Sequence, residues 1–143
     1  MLTTLDIRRI LKYVDHFGGV YPLDRLPLVL IKPKSFIINL DPSYKEGSHW
    51  VAVIFYKSGH AYYFDAFGRQ PTEEILTFIE RFASNGYNYS KNKYQDDNSS
   101  LCGYYCILFI LYGEKRFSSI FKNCKTRMNE RKMIQIIKNH FIL

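Results

Sequence analysis

The chain has 143 residues, of which 47% are hydrophobic and 17% aromatic, and it carries a net charge of +7. Such a chain buries a core and forms one domain, residues 1–143, which excludes an intrinsically disordered protein. No apolar run reaches the ~20 residues of a membrane span, and MLTTLDIRRILKY carries charges through its apolar positions, so neither membrane contact nor a signal peptide is expected.

In chain order, Thr4 caps a first helix. Its apolar residues Ile7, Ile10, Leu11, Val14 and Phe17 recur at helical spacing, and Gly18-Gly19 stops it. Residues 20–34 read as irregular, broken by Pro22, Pro27 and Pro33. SFIINL (35–40) is a short strand. HWVAVIFY (49–56) and HAYYFDAF (60–67) are β-rich runs joined by Lys57-Ser58-Gly59, a hairpin signal. Thr72 caps a second helix, with Glu73 and Glu74 in its first turn and Ile75, Phe78, Ile79 and Phe82 on one face. Asn85-Gly86 ends it, and NKYQ (92–95) suggests a further strand. From Cys102 to about Tyr112 the chain is apolar all round, the pattern of a helix buried on every side. A final amphipathic helix over roughly 126–141 turns Met133, Ile134, Ile137 and Phe141 inward and its basic residues outward. The class is α+β, a small, mostly antiparallel sheet packed against helices.

Three cysteines, at 102, 106 and 124, cannot all pair with one another, and they stand at no zinc-ligand spacing, so no metal is expected. Reduced thiols in an intracellular compartment are the plain reading. Cys102 follows Ser99 and Ser100, either of which can cap the helix. It therefore falls in the first turn, where the helix dipole favours thiolate, and Gly103 leaves space beside the sulfur. Cys106 and Cys124 read as structural. On the cysteine alone, a buried core thiol is the stronger reading.

Histidine changes that balance. His49 opens an apolar strand beside a loop, ahead of Trp50, and Asp65 interrupts the aromatic strand YYFDAFG. A hairpin turning near residue 58 brings both to its open end, imidazole beside carboxylate. Gln95, seven residues before Cys102, could donate its amide to an oxyanion next to the Cys102 N–H. His16, His60 and His140 have no such partner. The last 31 residues hold eight Lys and Arg against two Glu, a net +6. Lys122, Lys125, Arg127, Arg131, Lys132 and Lys138 form either a phosphate-binding face for nucleic acid or a solvated helix face.

These pieces resemble the adenovirus-type cysteine endopeptidases. QDDNSSLCGYYC resembles their nucleophile segment, GSHWVAVIF their His-Trp strand and YYFDAFG their acidic strand ending in Phe-Gly. FGGVYPLDRLP looks like the opening of members from invertebrate viruses and large transposons, so the likeness runs over roughly 17–112. The proteases of SUMO and other ubiquitin-like proteins share the order His-Trp, Asp, Gln, Cys-Gly. The resemblance implies a papain-like core in altered chain order. It makes Cys102 the nucleophile, His49 the base, Asp65 its orienter and Gln95 part of the oxyanion hole, with Trp50 and Gly103 lining the site. It also implies a viral or mobile-element precursor protein as substrate, or else a ubiquitin-like protein. A dead protease fold that binds nucleic acid is a third reading. The expected protein is a monomer without a cofactor, placed in a host nucleus or virion, with DNA or a basic peptide as the activators the family suggests. Asp65 stands where adenoviral enzymes have Glu, and Asp96-Asp97 replaces a Gly-Pro pair.

Overall fold

The run WVAVIF forms strand β3 (Trp50–Phe55), and five of its six residues are buried. A strand buried on both faces needs a continuous apolar run rather than alternation. The computed structural model describes residues 2–41 and 49–141, and β3 is the middle of its five-stranded sheet. Strands β2 (Lys34–Asn39) and β4 (Ala61–Phe64) flank β3 antiparallel. Strands β1 (Phe17–Pro22) and β5 (Tyr87–Tyr89) close the edges parallel to β2 and β4. The α+β class is as expected. Antiparallel pairing holds for the central three strands, and both edges are parallel.

Each face of the sheet carries its own core. Val51, Val53 and Phe55 meet helix α2 (Glu73–Phe82) through Ile75, Phe78 and Ile79. Trp50, Ala52 and Phe64 face α1 (Thr4–Leu11), α3 (Cys102–Ile120) and α4 (Thr126–His140). Phe64 stacks on Phe109 with ring centres 4.3 Å apart. Burying one such side chain is worth about 1.5–3 kcal/mol.

Helix α2 begins as the sequence suggests, with the Ile75 N–H donating to Thr72 Oγ1 at 3.4 Å. Helix α1 does not. Thr3, rather than Thr4, caps it, in a reciprocal box with Asp6 at 3.1 and 2.9 Å. The helix stops at Leu11, although Val14 and Phe17 continue its spacing. Both still pack on the same core, Phe17 from β1. Pairing with β2 outweighs the helical pattern there, and Gly18-Gly19 belongs to a bulged strand. A Cβ on Gly18 would lie 2.4 Å from Phe36 Cε1, so only glycine fits. Strand β1 thus replaces the first part of the irregular segment expected over 20–34.

Residues 92–95 are not a strand; the edge strand is β5, a few residues earlier. The buried half of α3 ends where expected, but Gly113 (φ 80°, ψ 167°) kinks the helix and a second half runs on to Ile120. That half returns Phe117 onto Phe109, 5.5 Å between ring centres. In α4, Met133 is buried, but Ile134 is exposed. The buried Asn129 takes the inward position instead. It accepts the Lys122 N–H at 2.9 Å and donates to Tyr94 O at 3.1 Å and Lys122 O at 2.7 Å.

Candidate active site

Three element ends meet at one end of the central strands: the entry to β3, the exit of β4 and the first turn of α3. His49 immediately precedes β3, and its carbonyl accepts the Leu40 N–H at 3.0 Å, which ties it to the end of β2. Asp65 immediately follows β4 and is 1% exposed. The His49 Nε2 lies 2.8 Å from Asp65 Oδ1. That leaves Nδ1 for Cys102, whose sulfur is near enough to favour a charge on the imidazole. Burial opposes a charge on His49, but the Asp65 carboxylate and the Cys102 sulfur outweigh it. The His49 pKa rises to about 9. The imidazole is therefore an imidazolium at neutral pH.

The hairpin turns about residue 58, as the sequence implies, and His49 and Asp65 lie at its open end. Ala52 pairs with Phe64 and Val53 with Tyr63, so continuing the ladder sets His49 opposite Phe67 rather than Asp65. Asp65 still reaches the imidazole because the chain turns at once after β4. Its Oδ1 also accepts the Phe67 N–H at 2.9 Å, and its carbonyl accepts the Gly68 N–H at 2.8 Å. The turn depends on Gly68, which has φ +78° and would place a Cβ 2.8 Å from the carbonyl oxygens of Lys91 and Asn92. Gly68→Ala is expected to destabilise the fold by about 2–4 kcal/mol, from left-handed strain plus the clash. Gly86→Ala, at φ +77° with open space around it, should cost only about 1 kcal/mol. Urea unfolding of the two variants measures the difference, and equal costs would refute the clash.

The same turn places Gln95. The Ala66 carbonyl accepts both the Tyr94 and Gln95 N–H groups, at 2.8 and 3.1 Å. Gln95 is wholly buried and donates through Nε2 to the Ser99 carbonyl at 3.0 Å, while its Oε1 has no partner among the described residues. An amide carries two N–H groups, and the Ser99 carbonyl takes one of them. The cap of α3 differs from expectation. Leu101 occupies the N-cap position with no side-chain cap, and Ser99 Oγ accepts the Leu101 N–H at 3.1 Å. Cys102 is thus the first residue of the helix, where backbone N–H groups have no intrahelical partner.

Gly103 does not leave the space expected beside the Cys102 sulfur; it is packed against Trp50 and Leu2. A Cβ on Gly103 would come within 3.3 Å of Trp50 Cδ1 and 3.1 Å of Leu2 Cδ1. Cys106 is buried one turn further on, its thiol donating to Trp50 O at 3.3 Å. Burial pushes that thiol well above the usual cysteine range, as do the sulfur of Cys102 and the charge of Asp65. Cys124, read as structural, is exposed in the turn before α4. Cys102 is itself only 2% exposed, so its advantage over Cys106 is the neighbouring His49 imidazolium and not access. Brief iodoacetamide treatment should label Cys124 and Cys102 and spare Cys106, by roughly tenfold or more in rate. Mass mapping decides it, and labelling of Cys106 at the same rate would refute the buried, protonated thiol.

The basic residues lie elsewhere, around α4. Lys122 and Lys132 donate to the carbonyls of Ser118 and Ile120, at 3.2 and 2.8 Å, and so close the end of α3. Lys125, Arg127, Arg131 and Lys138 are exposed. Sequence reasoning missed Phe67. Its ring stacks on the His49 imidazole, 4.8 Å between centres and 22° between planes, and the Arg69 guanidinium lies 4.5 Å from its centre. The signal was present in YYFDAFG, two residues after the acid, but only the register reveals it.

No protein-family model matches the chain. A protein of Acanthamoeba polyphaga mimivirus, named as a candidate thiol protease, is 41% identical over 85 residues. That match covers 52% of this chain and 28% of the mimivirus protein, so the chain spans little more than a quarter of that relative. The yeast Ulp1 protease domain, solved in complex with Smt3, aligns with a TM-score of 0.37 at 16% identity, over 72% of this chain and 51% of that one, too low to equate the folds. The crystal structure of the ASFV pS273R protease superposes with a TM-score of 0.51 and 16% identity, over 76% of this chain and 44% of that chain. The chain is an α+β protein that shares the fold of that viral protease.

Proposed function

We propose that this chain is a thiol peptidase domain that cuts protein precursors by acyl transfer through Cys102. The observation that carries the reading is the single line of contacts from Asp65 through a charged His49 to Cys102 at the start of α3. The likeness to a viral candidate thiol protease supports a viral or mobile-element precursor as substrate.

The chemistry follows from the placement of the groups. The Cys102 sulfur attacks the scissile carbonyl carbon, and the carbonyl electron pair moves onto oxygen. The Cys102 N–H and the second amide N–H of Gln95 hold that oxyanion. As the carbonyl re-forms, the C–N bond breaks and His49 passes its proton to the leaving amine. His49 then takes a proton from water, whose oxygen attacks the thioester and breaks the C–S bond. Asp65 keeps the imidazole oriented throughout and stabilises its charge.

Incubation with a proteome-derived peptide library, followed by mass spectrometry of the new termini, tests the reading. Internal cleavages by the wild type that vanish in Cys102→Ala are the expected result. Cleavage confined to folded ubiquitin-like proteins, after a terminal Gly-Gly, would move the substrate to that class. Absence of any cleavage would overturn the peptidase reading.

A further inference from the structure

A hydrogen bond holds an imidazole along one direction only. With Nε2 fixed on Asp65 Oδ1, the His49 ring can still swing about that contact, which carries Nδ1 away from Cys102. Fixing the plane takes a second group against the ring face. Phe67 is that group, stacked at 4.8 Å and 22°. The same residue's N–H, at 2.9 Å, steadies the oxygen that His49 contacts. The ring of Phe67 is in turn packed by the Arg69 guanidinium, 4.5 Å from its centre, and a cation on an aromatic face is attracted to it. Phe67 is half-buried and Arg69 exposed, so neither is needed to fill the core. Their placement is explained by what they touch.

We propose that Phe67, backed by Arg69, is a positioning residue that fixes the plane of the His49 imidazole between Asp65 and Cys102. The proposal rests on the reading of His49 as general base and acid. It adds a residue that acts through His49, without itself touching the reacting atoms. Small errors of orientation at a reacting group are costly, up to about 10²-fold for a displacement near 1 Å.

Phe67→Leu removes the ring and leaves the backbone N–H to Asp65 in place, so it isolates the stack. Expected is a fall in kcat of roughly 10- to 100-fold with KM within about twofold. Phe67→Tyr keeps the ring and should stay within about twofold of wild type. Arg69→Gln should lose about two- to fivefold in kcat. A second measurement does not depend on activity. In protein with isotope-labelled histidine, the His49 ring protons, assigned by comparison with His49→Gln, should lie upfield from the Phe67 ring current. They should move downfield in Phe67→Leu and stay in place in Phe67→Tyr. Should Phe67→Leu not fold, the Phe67→Tyr and Arg69→Gln variants decide by the same two measurements. Equal losses in Phe67→Leu and Phe67→Tyr, a loss confined to KM, or His49 signals unmoved by Phe67→Leu would each overturn the proposal. If the wild type cleaves peptides while Phe67→Leu retains full kcat, the positioning role falls and the peptidase reading stands. If the wild type cleaves nothing, the proton signals alone show whether the stack holds the ring.

Discussion

Cys102→Ala is expected to reduce peptide cleavage roughly 10⁴- to 10⁶-fold, to the level of the uncatalysed background plus whatever binding supplies. His49→Ala should be nearly as severe, and the double variant little worse than either single one. The reason is that sulfur and imidazole act as one unit. Without His49 no proton reaches the leaving amine, and without Cys102 there is no acyl intermediate to resolve. Cys102→Ala should keep its fold, since the sulfur is a small group in a core that also holds Trp50 and Tyr105. Single-turnover kinetics on a cleaved peptide measures the effect. Retention of more than about a hundredth of the wild-type rate in Cys102→Ala would refute the role of Cys102 as nucleophile.

Asp65→Asn should lower kcat by about 10³- to 10⁴-fold while leaving the chain folded. An amide keeps an oxygen acceptor, but it can also present N–H to Nε2 and hold the imidazole in the wrong tautomer. The pH dependence has a definite sign. The folded pKa of His49 is raised from 6.5 to about 9. The stability its charge contributes is therefore complete below about pH 6.5 and is lost as pH rises through about 9. The gap in melting temperature between wild type and His49→Gln should shrink over that window and close above it. Activity should fall on the same alkaline limb, because the leaving amine needs the imidazolium proton. In Asp65→Asn the alkaline limb should move to lower pH, since one of the groups that hold the charge is gone. Thermal melts and rate profiles between pH 6 and 10 measure both effects. A limb that stays in place in Asp65→Asn would show that the carboxylate does not set the charge of His49.

The sequence by itself determined the chemical groups and their order along the chain. His49, Asp65 and Cys102 are each marked by a local contrast: a polar residue at the end of an apolar strand, an acid inside an aromatic run, a thiol at the head of an apolar helix. Gln95 stands out only by its place ahead of Cys102 in a segment that resembles a known family. Helix α2 and the first half of α3 were legible for the same reason, because helical periodicity and caps act within a few residues. The tertiary structure decided what depends on a distant partner. Phe17 left its helical pattern because a β2 residue, Ser35, was there to pair with it. Ile134 faces outward while Asn129 faces inward, bonded to Tyr94 across the core, which sets the rotation of α4. The β3–β4 ladder, centred on residue 58, puts the ring of Phe67, two residues beyond the acid, opposite His49. Strand register is fixed by which side chains fill both faces of the sheet at once. That condition joins residues many positions apart, and no window of the sequence contains it.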